Sequence, residues 1–198
     1  MDLSEVHDGD RISVRRMRLG TRSALLAFVH GKDMRNNDES SRQEFAHSAA
    51  LQLRMAAEQQ GTNRFVILGD FNMNPYESGM GRATTFNAMM TRSCTKPGTR
   101  TLNGATYDFY YNPMWSLFGD NTPGPPGTAH DTSSQGPYGW SMLDQVLLHH
   151  TMIDRFHSVQ ILTHAGTTPL TKQNGRPDAN AASDHLPILV DLRGDNDD

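Results

Sequence analysis

Two pairs of polar side chains lie beside apolar runs and have the residue types needed for hydrolysis at a phosphate. Asp70 and Asn72 lie in the turn just after the apolar run 65–68, and Asp184 and His185 directly precede the apolar stretch 186–192. Carboxylate oxygens suit a hard cation such as Mg²⁺, for which one or two protein carboxylates beside a phosphate are enough. A histidine titrates near neutral pH, so it can accept a proton from water or bind a phosphoryl oxygen. Each pair alone also fits a simpler role, an Asx turn for the first and a solvated strand edge for the second.

Asp144 and His30 are candidates to complete such a site. Asp144 lies in an apolar stretch, so its carboxylate needs a buried partner, and His185 is the candidate because a basic imidazole needs an acceptor on its other ring nitrogen. His30 ends an apolar stretch as Asp70 does, which would place the two side by side at one edge of a sheet. A loop cap for Asp144 and a structural role for His30 fit the sequence as well.

The elements that must position these residues follow an α/β order. Strands are predicted at 12–19, 24–29, 65–68, 106–111, 142–148, 159–162 and 186–192. The first strand is expected to carry a bulge, and the run 65–68 is expected to be buried on both faces. A helix is predicted between a capping box of Ser41 and Glu44 and a stop at Gly61.

The middle of the chain is less regular. A short helix is predicted at 84–90, with the side chains of Phe86, Met89 and Met90 pointing inward. Residues 91–139 are rich in Gly, Pro, Ser and Thr, and we expect this long stretch to border the site because long loops in compact domains tend to be functional. A short apolar turn is predicted at 114–118.

Composition limits the classes of function. The 198 residues include 18 Lys and Arg against 22 Asp and Glu, for a formal charge of −4, so any phosphate binding must be local. The single cysteine, Cys94, excludes an intrachain disulfide and a multi-thiolate zinc site. No run approaches the ~20 apolar residues of a membrane span. His130, His149 and His150 have no cysteine or acidic residue at metal-ligand spacing and are interpreted as surface residues.

The order of the motifs resembles the endonuclease/exonuclease/phosphatase superfamily, whose members are the DNase I-like proteins. The resemblance rests on strand-His30, strand-Gly69-Asp70-Phe71-Asn72, strand-Leu143-Asp144 and Ser183-Asp184-His185-strand, and it covers His30 to Leu192. It implies an α/β fold class, a four-layer α/β sandwich of mixed β-sheets with outer helices, formed by one domain over residues 1–198.

The same resemblance implies a hydrolase that depends on Mg²⁺ or Mn²⁺ and cleaves a phosphoester, most simply a phosphodiesterase or endonuclease acting on DNA or RNA. Asp70 would orient or deprotonate the attacking water, and Asn72 would hold that water or the phosphate. Asp70, Asn72 and Asp184 would serve the metal. His185, oriented by Asp144, would bind the phosphate or act as the base, and His30 would contact the phosphate or the leaving oxygen.

One part of the family pattern is missing. Family members carry an N-terminal half with a strand asparagine and a metal-binding glutamate, whereas Glu5 here precedes the first predicted strand and Glu39 lies in a polar loop. The chain therefore resembles the C-terminal two thirds of the fold, which predicts a fragment, a chain whose partner supplies the other half, or a degenerate homologue. We expect a partner chain or a homodimer to cover the missing part. A catalytically impaired binding module and a phosphatase for a lipid or sugar phosphate are the alternative functions. A bacterial cytoplasmic location is the expectation.

Overall fold

A seven-stranded mixed sheet forms the centre of the fold. The computed structural model describes residues 3–19, 22–131 and 139–194. The strands are β1 (Leu3–Asp8), β2 (Ile12–Leu19), β3 (Arg22–His30), β4 (Phe65–Asp70), β5 (Ala88–Met89), β6 (Thr99–Leu102), β7 (Ala105–Asp108), β8 (Tyr110–Tyr111), β9 (Ala129–His130), β10 (Trp140–Ser141), β11 (Asp144–His149), β12 (Phe156–Ile161), β13 (His164–Ala165), β14 (Thr168–Pro169) and β15 (Ile188–Leu192). The helices are α1 (Glu39–Gln60), α2 (Ser78–Gly81), α3 (Arg92–Thr95) and two 3₁₀ turns at Pro113–Leu117 and His150–Arg155.

The large sheet has the order β1-β2-β3-β4-β11-β8-β5 and is covered on its two faces by different elements. One face packs on α1, where Leu25, Ile67 and Leu147 of the sheet meet Ala49 and Leu53 of the helix. The opposite face packs on a second sheet made of β12 and β15. This arrangement of helix, large mixed sheet and small antiparallel sheet confirms the predicted α/β class. The single domain over residues 1–198 stays a prediction.

Strand β4 is the centre of both cores, as its sequence predicts. Phe65 and Ile67 belong to the core on the α1 side, whereas Val66 belongs to the core between the two sheets. These three side chains are almost completely removed from solvent, and burial of each such side chain contributes roughly 1.5–3 kcal/mol. The strand is therefore held rigidly up to Asp70, its last residue.

Helix α1 begins earlier than the predicted capping box. Its N-cap is Asp38, whose side chain accepts a 2.8 Å hydrogen bond from the backbone N–H of Ser41. The predicted box of Ser41 and Glu44 is wrong because both residues already lie within the helix, and Glu39, which was expected in a loop, is its first residue. The predicted stop is confirmed, since Gly61 adopts the left-handed conformation with φ 62°.

The short helix predicted at 84–90 is wrong. Asn87 has a φ of 50°, which interrupts a helix, and its side chain donates a 2.8 Å hydrogen bond to the carbonyl of Asp108. The chain therefore enters β5 instead. Phe86 is buried as expected, but Met90 is 53% exposed.

Two further expectations are corrected near the ends of the large sheet. Glu5 lies within strand β1, which pairs with β2 and follows no strong apolar alternation. The bulge expected in the strand 12–19 lies in β1 instead, between Glu5 and His7, whereas β2 and β3 pair without a shift. Charged side chains connect β1 to β2 at this edge of the large sheet, where Arg15 forms an ion pair with Asp8 at 3.2 Å.

The stretch 91–139 contains more regular structure than predicted. The strand predicted at 106–111 is divided at Phe109 into β7 and β8, which join different sheets. Residues 132–138 of the stretch lie outside the described residues.

In the part of the chain that the structure describes, no helix is both long enough and apolar enough to span a bilayer. The partner chain or homodimer stays a prediction, and exposed Phe28 and Leu189 offer apolar surface for one.

Candidate active site

Strands β3, β4 and β11 bring three of the candidate residues into one row. His30 is the direct partner of Asp70 in the parallel pair β3 and β4, and Asp144 is the direct partner of Asp70 in the antiparallel pair β11 and β4. Residues that are directly opposite in a sheet project to the same face. This is the face between the two sheets, because Val66 and Val146, which lie on it further along the strands, belong to the core there.

His185 reaches the same place from the far end of the chain. Its Nδ1 atom lies 2.8 Å from Oδ2 of Asp144. Because an ionised carboxylate only accepts hydrogen bonds, Nδ1 is the donor, which leaves Nε2 of a neutral ring as an acceptor. Both side chains are largely removed from solvent, with exposures of 26% for His185 and 19% for Asp144.

Thr128 ties the segments that carry Asp144 and His185 together. Its carbonyl accepts a 2.7 Å hydrogen bond from the N–H of Leu186, and residue 185 forms a bridge with Ala129. Its hydroxyl oxygen accepts from the N–H of Asp144 at 3.0 Å. The long stretch that was expected to border the site therefore borders it through Thr128, a fully buried residue that no sequence pattern identified.

Asp70 and Asn72 form a closed turn at the end of β4. Asn72 donates from its backbone N–H to Oδ1 of Asp70 and from its Nδ2 to Oδ2, both at 2.7 Å. Asn72 adopts a left-handed conformation with φ 51°, as an asparagine tolerates. The Asx turn and a role in binding are therefore compatible, because the turn holds the Asp70 carboxylate in one orientation.

Glycines allow the strand ends to approach closely at this point. Gly69 has a φ of 137°, and a Cβ atom there would overlap the backbone carbonyl of Val29 on β3. Gly31 would overlap the carbonyl of Phe71 in the same way, and its N–H donates to the Asp70 carbonyl at 2.7 Å. Side chains at either position would push the turn of Asp70 away from His30.

A buried hydrogen-bond network links the residues that follow the turn to β11 and to α1. The side-chain oxygen of Asn74 accepts from the N–H of Met142 at 2.8 Å, and Gln145 receives a 2.7 Å hydrogen bond from Asn112. Glu77 accepts from the N–H of Asn74 at 2.8 Å and forms a 2.6 Å ion pair with Arg42 of α1. Sequence reasoning missed these residues, since isolated amides and charges in loops carry no signal of burial.

The surroundings raise the pKa values of both Asp70 and His185. Burial raises the pKa of Asp70, and the neighbouring charge of Asp144 adds to this effect, whereas the N–H of Asn72 opposes it. The hydrogen bond to Asp144 raises the pKa of His185 despite the opposing effect of burial. Asp70 is thus a stronger base, and His185 a weaker acid, than an isolated side chain.

The three residues Asp70, Asp144 and His185 are close enough to surround one ion. One ligand atom from each lies within 4.8 Å of the other two. Asp184, predicted as a metal ligand, is outside this cluster and exposed, although its charge still favours the protonated form of His185. His30 is exposed at the end of β3 and lowers the pKa of Asp70 through its charge.

Three solved structures share this architecture. The chain is similar to truncated Caenorhabditis elegans TDP2, with 14% sequence identity, a TM-score of 0.52 and coverage of 96% of this chain and 64% of that one. It is similar to the endonuclease domain of TRAS1, a telomere-specific non-LTR retrotransposon, with 14% identity, a TM-score of 0.50 and coverage of 98% and 70%. An endonuclease/exonuclease/phosphatase family protein from Bacteroides thetaiotaomicron gives 14% identity, a TM-score of 0.52 and coverage of 94% and 55%.

These similarities show the DNase I-like fold that the motif order predicted. The chain spans 55 to 70% of the length of the three structures. No family model matches the sequence, and no curated protein matches it.

Proposed function

We propose that this chain, which has the DNase I-like endonuclease/exonuclease/phosphatase fold, is a phosphoester hydrolase that depends on a divalent metal. The observation that carries the proposal is the convergence of Asp70, Asp144 and His185 from three distant parts of the sequence on one face of the sheet. A carboxylate pair beside an oriented imidazole is a costly arrangement for folding, since the two negative charges repel, and it is typical of an acid–base site.

The chain's own residues would divide the work as follows. Asp70, with its raised pKa and fixed orientation, accepts a proton from the attacking water. His185, held by Asp144 through Nδ1, binds a phosphoryl oxygen through Nε2. His30, beside Asp70 on β3, contacts the phosphate or the leaving oxygen, and Asn72 contacts the phosphate or the water.

The donor atoms near the turn suit a hard cation. Asp70 supplies carboxylate oxygens, and Asn72 supplies an amide oxygen that is not used in its contacts to Asp70 and Gly31, which Nδ2 makes. With exposed Asp184, these residues would hold Mg²⁺ or Mn²⁺, the cations that prefer such oxygen ligands. The cation would neutralise charge on the phosphoryl group.

Nucleic acid is the substrate class we propose, as a phosphodiester. The similar TRAS1 structure is an endonuclease domain, which supports this choice. The formal charge of −4 supports instead a smaller substrate, such as a lipid or sugar phosphate, because nucleic-acid binding usually uses a basic face.

The experiment compares cleavage of supercoiled plasmid, bis(p-nitrophenyl) phosphate and p-nitrophenyl phosphate with Mg²⁺, with Mn²⁺ and with EDTA. We expect metal-dependent cleavage of the two diesters that is lost in Asp70→Ala and in His185→Ala. The matched control is His157→Ala, which changes an exposed histidine on β12. Equal cleavage in the wild-type chain and the two site variants would contradict the proposal, and cleavage of the monoester alone would assign a phosphatase.

A further inference from the structure

A second group of possible metal ligands lies at the opposite end of β11 from Asp144. It consists of Asp108 at the end of β7, His149 at the end of β11 and His150 directly after it. His149 is five positions after Asp144 on the strand, so the two groups are roughly 17 Å apart. His149 lies on the α1 face of the sheet with Leu147, whereas Asp144 lies on the other face, so this group is separate from the candidate active site.

His149 is the most deeply buried residue of this group. It is completely buried, which corrects the interpretation of His149 as a surface residue. Its Nε2 atom makes no hydrogen bond of acceptable geometry among the described residues. The nearest charged atom is Oδ2 of Asp108 at 3.4 Å, near the outer limit of a hydrogen bond. A buried polar atom with only this long contact is costly, so a ligand bound by both Nε2 and Oδ2 would stabilise it.

The separations fit a metal better than they fit a hydrogen bond. Ligand atoms about 2.0–2.2 Å from a tetrahedral zinc ion are about 3.3–3.5 Å from one another. The 3.4 Å between His149 Nε2 and Asp108 Oδ2 is that separation. One ligand atom of His150 completes a triangle in which all three atoms lie within 4.8 Å of one another.

The surroundings hold the three side chains in place. His149 Nδ1 lies 2.8 Å from the hydroxyl of Thr151 and accepts a 3.3 Å hydrogen bond from the Thr151 N–H, which fixes the ring with Nε2 facing Asp108. The N–H of His150 donates to the carbonyl of Phe109 at 3.0 Å, and the N–H of Phe109 donates to the carbonyl of Gly98. The His150 ring packs against Gly98, where a Cβ atom would approach it to 3.1 Å.

Access from solvent and the donor set also suit a metal. Asp108 is 33% exposed, and His150 is half-buried, so an ion can enter from solvent. Two imidazoles and one carboxylate are a donor set of borderline first-row metals rather than of Mg²⁺.

We propose that Asp108, His149 and His150 bind a Zn²⁺ ion that ties the end of β7 to the end of β11. The three protein ligands leave a fourth position for water. The ion joins segments that are distant in sequence, so its binding stabilises the native state over the unfolded chain.

The test measures zinc stoichiometry by equilibrium dialysis and metal analysis, with Zn²⁺ alone as the probe. The protein carries Asp70→Asn and His185→Gln throughout, so that the candidate active site does not contribute. We expect one Zn²⁺ per chain, an increase in melting temperature on adding Zn²⁺, and an absorption band typical of nitrogen and oxygen ligands when Co²⁺ replaces it.

Two ligand variants and one control complete the design. Asp108→Asn and His150→Gln, both at partly exposed positions, should each weaken zinc binding by more than the ~10- to 100-fold typical of changes to residues that only hydrogen-bond to a metal ligand. His164→Gln, which changes an exposed histidine on β13, should leave the binding unchanged. Circular dichroism shows whether each variant is folded, and a single folded variant is sufficient. The absence of zinc binding before any ligand substitution, or unchanged binding in a folded ligand variant, would overturn the proposal.

Discussion

Asp70 and Asp144 are direct partners on neighbouring antiparallel strands, with both carboxylates on the face that also carries His185. Two like charges in this position repel each other, and the repulsion contributes to the raised pKa of Asp70. The hydrogen bond from His185 compensates for part of this repulsion by pairing Asp144 with a ring that readily becomes positive.

Replacement of Asp144 by Asn should reduce catalysis without unfolding the protein. The substitution keeps the shape of the side chain but removes the charge that orients and protonates His185. For the proposed hydrolase activity, kcat for a phosphodiester should fall by roughly 10²-fold or more, which is a typical effect of losing an acid–base group. The matched control, Asp154→Asn, changes an exposed aspartate and should act like the wild-type chain. Activity of Asp144→Asn within a factor of two of the control would contradict this role.

The pKa of His185 should lie above 6.5 and fall when Asp144 is removed. The hydrogen bond to Asp144 is the main cause of the raised pKa, so Asp144→Asn should lower it. The measurement is an NMR titration of the Cε1 proton of His185 in both proteins. An unchanged titration midpoint in Asp144→Asn would show that the 2.8 Å contact with Asp144 does not raise the pKa of the His185 ring.

The same shift predicts a pH dependence of stability. Because the pKa of His185 is higher in the folded than in the unfolded chain, its contribution is fully present below the unfolded pKa and is lost as pH rises through the folded pKa. The difference in unfolding free energy between the wild-type chain and His185→Gln should therefore be larger at pH 5.5 than at pH 8.5. Urea denaturation at the two pH values measures it, and the opposite order would refute the assignment.

Gly69→Ala should destabilise the fold strongly. A Cβ atom at residue 69 would overlap the Val29 carbonyl, and the φ of 137° is unfavourable for alanine. The loss should be about 3 kcal/mol or more, because overpacking and backbone strain add. Gly104→Ala is the control, since its φ of 78° is also positive but no atom lies within 4 Å, and it should cost only ~1–2 kcal/mol. Equal losses of unfolding free energy in the two variants would rule out the overlap as the cause.

Gln145→Leu should be costly although the replacement is apolar and the site is buried. Gln145 accepts from Asn112 at 2.7 Å and donates to the carbonyls of Met142 and Met73, so the variant leaves these groups without a partner. Each buried unsatisfied group costs about 1–3 kcal/mol, which predicts a total of ~3 kcal/mol or more in urea denaturation. Gln160→Leu, at an exposed position of β12, should change stability by less than ~0.5 kcal/mol. A loss from Gln145→Leu no larger than from this control would show that the network is not stabilising.

The start of α1 provides a direct test of a corrected prediction. Asp38→Ala removes the side chain that accepts the Ser41 N–H and should cost about 1 kcal/mol. Glu44→Ala should change stability by less than ~0.5 kcal/mol, because Glu44 is exposed within the helix rather than at its N-cap box. A larger loss from Glu44→Ala than from Asp38→Ala would restore the capping box that the sequence predicted.

Local patterns in the sequence determined the elements and the order of the motifs. The apolar run 65–68 predicted a strand buried on both faces, Gly61 predicted the end of α1, and the motif order predicted the DNase I-like fold. These features depend on side-chain periodicity and turn chemistry within a few residues, which are visible in one dimension.

Tertiary structure decided the strand register that joins these residues and which polar side chains are buried. The pairing of β4 with β11 sets Asp70 opposite Asp144, and the division of the predicted strand at Phe109 brings Asp108 next to His149. Strand register and the burial of a polar side chain depend on contacts between segments that are distant in sequence, so no local pattern encodes them. For that reason His149 resembled a surface residue in the sequence, although the fold buries it completely beside a carboxylate.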